Sequence, residues 1–183
     1  EEPAVGGIPE AMQVSAGIGE ATRAVISGGY TNDLEVSFAR LDNPGTTGAQ
    51  WNTPSLDAVR TGGTGNTVLT FEPEQTYLTE EGESVLIGYY PRKALNSGTA
   101  NPVSVTYTIA GEEDIMATGV QTGSLVDKFE TFTFNHLLTQ LQFKCTGSAG
   151  AIAKWTAIIS IKVKNVATGL KLSLDKTKGA QLT

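Results

Sequence analysis

The feature that most constrains this chain is a period-two alternation of apolar with polar or small residues, repeated in short stretches broken by Gly, Pro, Asn and Thr. Successive side chains of a strand point to opposite faces, so each stretch lays one apolar row on a core. Met12, Val14, Ala16 and Ile18 form the first row, and Leu34, Val36 and Phe38 form the next after the turn at Gly28 and Gly29. Val68, Leu69 and Phe71 follow the glycine-rich residues 62–65, and Val85, Ile87 and Tyr89 make a strand that Pro91 ends. The cleanest strand opens at Pro102, with Val103, Val105, Tyr107 and Ile109 on one side and Ser104, Thr106 and Thr108 on the other. Helical periodicity is nearly absent. Only residues 55–60, with Pro54 before them and Gly62 and Gly63 beyond, predict a short helix.

Residues 132–145 change phase: Phe132 and Phe134 are even, whereas Leu141, Phe143 and Cys145 are odd. A one-residue slip reverses the faces, so a bulge or single turn over 135–138 is expected to restore the inward row. After Trp155, the rows Ile159, Ile161, Val163 and Leu170, Leu172, Leu174 predict a hairpin turning at 167–169. About seven to eight strands at this spacing predict an all-β sandwich or barrel. The 183 residues suit one domain of ordinary size, read as a flexible leader over 1–10 and a single β domain over 11–183. Charged residues at 17% and 21 glycines agree with sheet and many turns.

The formal charge of −6 makes nucleic acid a poor partner. Residues 1–139 carry six basic and eighteen acidic groups, net −12, whereas residues 140–183 carry seven and one, net +6. Lys162, Lys164, Lys171, Lys176 and Lys178 are read as solvated faces of the last hairpin, or else as a docking end of a head-to-tail subunit. The one cysteine, Cys145, excludes an intramolecular disulfide and a thiolate zinc cluster, and is expected in the core. No apolar run approaches the ~20 residues that span a bilayer.

Catalytic chemistry is thin. The one histidine, His136, has no Gly-x-Ser-x-Gly elbow with it and is expected to bond a backbone carbonyl, so the chain is read as not an enzyme. The acidic clusters 112–114 and 80–83 lack the spacing of a calcium loop and read as solvated turns. Residues 61–65 lack the lysine and helix of a phosphate cradle and read as a flexible loop. No cofactor or metal is expected. Tyr89 and Tyr107 fall within strands and suit a core. Trp51 and Tyr90 support a second reading, a cell-surface β-sandwich that stacks glycan on exposed aromatics.

Four landmarks, in order, resemble the fimbrillins and fimbrillin-like surface proteins of Bacteroidales, the type V pilus subunits. They are Thr22-Arg23-Ala24 after the first row, Tyr89-Tyr90-Pro91, Asp114-Ile115-Met116-Ala117, and Phe134 to Leu138 leading to Ile161-x-Val163-x-Asn165. The resemblance implies a transthyretin-like Greek-key β-sandwich, exported as a lipoprotein to the outer membrane and built into a fimbria with other pilin subunits. In the family a second β-sandwich follows and its C-terminal strand is the one donated during assembly; with the sequence stopping at Thr183, that domain is expected to be missing from this chain. The resemblance also implies cleavage between Arg23 and Ala24 by an arginine-specific surface protease. Met12, Val14, Ala16 and Ile18 would then belong to a displaced strand, and a neighbour's extended segment would refill the groove by strand addition. Adhesion to a host or bacterial surface ligand is a further implied partner.

Overall fold

A computed structural model describes residues 8–20, 26–79, 81–154 and 157–183. The alternating stretches become strands, and among the described residues eleven are present with one short helix. In chain order they are β1 (Val14–Ile18), β2 (Leu34–Asp42), β3 (Leu56–Arg60), β4 (Thr67–Glu72), β5 (Glu83–Tyr90), β6 (Val103–Thr108), β7 (Met116–Ala117), β8 (Gln121–Ser124), β9 (Phe132–His136), α1 (Ala149–Lys154), β10 (Gly169–Asp175) and β11 (Gly179–Leu182). The all-β expectation holds, with more strands than the seven to eight foreseen, because the two-residue β7 and the Gln-Thr-Gly-Ser strand β8 carry almost no alternation.

The larger sheet runs β2-β3-β4-β1-β9-β7-β5-β8, and β2 also pairs with β5, so it closes into a barrel. Closure leaves β1, β4, β3 and β2 without a free edge. The interior is filled by Val14, Ala16, Ile18, Leu34, Val36, Phe38, Leu69, Phe71, Leu86, Phe132 and Phe134. Phe38 sits at its centre, edge-on to Phe71, Phe132 and Phe134 at centroid distances of 5.3, 5.1 and 6.0 Å. The ring needs a gap to fit there. Gly88 supplies it, since a Cβ at that position would lie 2.7 Å from Phe38 and 3.0 Å from Phe134.

The second layer is the sheet β11-β10-β6, laid on the outside of the β2–β5 wall. Alternation decides which core each residue joins. On β5, Leu86 faces the barrel, whereas Val85, Ile87 and Tyr89 face outward to meet Val103, Val105, Tyr107, Leu172 and Leu174. The outward faces of β6 and β10 carry Ser104, Thr106, Thr108 and Lys171. Tyr89 and Tyr107 fill this second core, and their hydroxyls donate to the carbonyls of Lys93 and Pro91.

Three expected elements differ. Residues 56–60 form strand β3, laddered on both sides to β2 and β4, because so short a helix would close hardly any internal hydrogen bonds. The strand foreseen through 145 stops at His136, and residues 137–148 carry no ladder. Leu141, Phe143 and Cys145 are therefore exposed rather than inward. Ile159, Ile161 and Val163 are likewise exposed and, among the described residues, belong to no ladder, and β10 forms its hairpin with β11 instead. The turn chemistry explains the choice: the Asp175 carboxylate accepts from the Thr177 and Lys178 amides at 2.8 and 3.0 Å, and Gly179 closes the turn at φ +77°. Those bonds hold the Asp175 carboxyl well below the usual carboxylate range.

Candidate functional site

β1 is the strand to which the sequence assigns a role, and its seat is built from both flanks. It runs antiparallel to β4, with Val14 opposite Leu69 and Ala16 opposite Thr67, and parallel to β9, with Ala16 opposite Phe132 and Ile18 opposite Phe134. Bonds continue past both ends, from the Met12 amide to the Gln75 carbonyl and from the Gly19 amide to the Phe134 carbonyl, each 2.8 Å. Met12, Val14, Ala16 and Ile18 all point into the barrel and are at most 8% exposed. Burial of a side chain the size of Val, Ile or Met contributes roughly 1.5–3 kcal/mol. The opposite face is small, with Ser15 bonded to Thr131 and Gly17 packed so closely on Asn66 that a Cβ would overlap it. The processing residues Arg23 and Ala24 lie outside the described residues.

A residue that the sequence did not single out completes the seat. Arg60, at the end of β3, is on the inward phase with Ala58 and has no exposed surface. Its Nε donates to the Ala16 carbonyl of β1 at 3.0 Å, its Nη1 to Thr61 at 3.3 Å, and its Nη2 to Gly63 and Gly65 at 2.9 and 2.7 Å. Among the described residues no carboxylate lies within ion-pair distance of it. Burial pulls its guanidinium below the usual arginine range. The glycine-rich residues 61–65 are thus a cradle of carbonyls wrapped around a cation, not the flexible loop expected. Gly62 is required because a Cβ would overlap the Thr31 backbone, and Gly65 because its φ is +70°. The available signal was an arginine in phase with an inward alanine, immediately before the glycines.

The other expected candidates separate. Trp51 is 1% exposed in the second core, its indole N–H donating to Asn101 at 3.1 Å, so it offers no face to a glycan. Tyr90 is half-buried against the barrel core, and burial, followed by the neighbouring Tyr30 and Asp114, pushes its phenol up. The two aromatics do not form one platform: they pack on different cores. His136 bonds the Asp114 carboxylate, 2.8 and 3.0 Å from Nδ1, rather than a backbone carbonyl, and Asp114 is buried rather than a solvated turn residue. Glu113 behaves as a turn residue, its carboxylate accepting the amides of Ala110, Gly111 and Glu112, which hold it below its usual range. His136 and Asp114 border a cavity of about 1220 Å³ covered by residues 138–143 and 163–168. Its lining includes the hydroxyls of Thr139 and Thr168 but neither Cys145 nor a serine. Among the described residues no cluster of His, Cys, Asp and Glu is arranged to hold a metal ion.

Comparison with known proteins adds one result. The family described as fimbrillin-like matches residues 22–178, so β1 lies just before the matched stretch. Neither the curated proteins nor the solved structures gave a match.

Proposed function

This chain belongs to the fimbrillin-like family and is a structural, cell-surface subunit of a pilus, and from that premise we propose that it assembles by removal of β1 and refilling of the vacated groove. Cutting between Arg23 and Ala24 severs β1 from the rest of the chain, the two sites being separated by five residues counted from Ile18. Loss of β1 exposes apolar barrel surface and two rows of backbone groups, on β4 and β9. Both defects are cured by one extended segment of a neighbouring subunit with apolar residues at alternate positions. The observation that carries the proposal is the seat of β1. Its three inward side chains, with Met12 just before them, enter the barrel, while its outward face carries only Ser15 and Gly17 and enters no second core. Export as a lipoprotein, an arginine-specific protease as processing partner and a Bacteroidales source belong to the same proposal.

The test is limited proteolysis of the folded chain with an arginine-specific protease. The expected result is a cut after Arg23, followed by release of residues 1–23 and oligomers on size exclusion. A native chain that resists cutting, or a cut chain that holds β1 as firmly as the intact one, would count against assembly by exchange.

A further inference from the structure

A buried guanidinium with no carboxylate partner is costly, so its bonds to the main chain must compensate. Three of the four carbonyls around Arg60 belong to its own loop, and that loop is anchored independently of β1. The Gly62 amide donates to Asp33 at 2.8 Å, the Thr61 amide to the Val68 carbonyl at 2.9 Å, and the Gly63 and Gly65 amides to the Tyr30 and Gly28 carbonyls, both at 3.3 Å. The fourth carbonyl, that of Ala16, is the one bond directed across the groove. Ala16 is also the last β1 residue with a partner in β4, opposite Thr67 where β4 begins. Beyond that level, Arg60 and the glycine loop take over the flank that β4 no longer supplies. Lifting β1 out leaves the guanidinium held by three bonds, with its Nε–H facing an empty place.

We propose that Arg60 is an anchor that sets the phase and reach of any strand seated in the β1 groove, by recognising one backbone carbonyl at the level of Ala16. The proposal rests on the exchange reading above and deepens it, because it names what the groove reads: the main chain of an extended peptide, through a charged donor. Apolar side chains alone specify which face turns inward. The anchor adds that the strand must extend through this level and present a carbonyl to the β4 side there. A strand that stops short leaves a buried cation with an unmet donor.

The test offers a fluorescent peptide of residues 8–20 in excess to the whole chain nicked after Arg23. Uptake is compared for the unmodified peptide and for peptides carrying a thiocarbonyl, a weak acceptor, at Ala16 or at Ser15. The Ala16 change should weaken uptake about tenfold or more, as for a bond from a charged donor, and the Ser15 change only a few-fold. In Arg60→Lys the two losses should become equal; Arg60→Gln serves the same comparison if Arg60→Lys does not fold. Equal losses in the unsubstituted chain would overturn the anchor. Native amide exchange of the intact chain is read in parallel, where Arg60→Lys should speed exchange in β1 about tenfold relative to β10 and β11. Unchanged β1 protection would also overturn the anchor. Faster β1 exchange with no uptake of the unmodified peptide would defeat the exchange reading while leaving Arg60 as the fastener of the chain's own strand.

Discussion

β1 and β5 are both interior strands of one sheet, yet they are held in different ways. β5 lies at the boundary of two cores: Leu86 and Gly88 line the barrel, and Val85, Ile87 and Tyr89 line the layer outside it. Its register with β2 covers six residue pairs, from Ser37 and Tyr89 to Asp42 and Ser84, and β7 and β8 share its other edge. β1 pairs through three residues on each side and commits its side chains to one core. Removing β5 would dismantle both layers, whereas removing β1 opens one wall of one layer. The difference teaches that position in a sheet does not measure how tightly a strand is bound; the number of cores that share it does.

Substitutions can break that comparison. The largest effect is expected in β5, where Leu86→Ala and Ile87→Ala each empty a fully buried site and should lower unfolding free energy by about 2–5 kcal/mol in urea titrations. Because one strand carries both residues and is shared by both cores, either loss should be seen by probes in both layers. Val14→Ala on β1 should cost about 2 kcal/mol and raise amide exchange in β1, β4 and β9, while β6, β10 and β11 stay protected. A cost at Val14 equal to that at Ile87, with protection lost everywhere, would erase the distinction.

The smallest effect concerns the wall that the two layers share. Burial works to raise the Asp42 carboxyl, but bonds from Ser84, Arg40 and Asn52 at 2.6, 2.8 and 3.0 Å outweigh it, and the pKa lies below the usual value of 3.8. A depressed carboxyl stabilises fully above its unfolded pKa and loses that contribution as pH falls through the folded one. Lowering pH from about 5 to about 3 should therefore weaken the unsubstituted chain more than Asp42→Asn, with the softening at β2 and β5 before β1. Identical acid profiles for the two proteins would show that this network contributes nothing measurable.

Much of the architecture was legible because alternation is a direct readout of a half-buried strand. Met12 to Ile18, Leu34 to Phe38 and Val103 to Ile109 announced their inward rows without ambiguity. Alternation states what a strand requires but not whether a partner ladder exists, so residues 141–145 and 159–163 carried the same signal without forming strands. The hairpin of β10 was misplaced because Asp175 and Gly179 make a stronger turn than residues 167–169 do. β3 was concealed because five residues, Leu56-Asp57-Ala58-Val59-Arg60, are too few to tell one period from the other. For the site, the inward row of β1 was visible, whereas Arg60 was not: its value comes from carbonyls on residues 16, 61, 63 and 65, and main-chain acceptors leave no mark on composition.

β1 lies between one antiparallel and one parallel neighbour, and this has a consequence for anything built from the molecule. Ladder bonds are paired and perpendicular on the first side, evenly spaced and slanted on the second. A segment entering backwards would exchange the two patterns and meet mismatched donors along both walls. Units linked through such a slot would consequently all point the same way, and a fibre made of them would have a distinguishable front and rear.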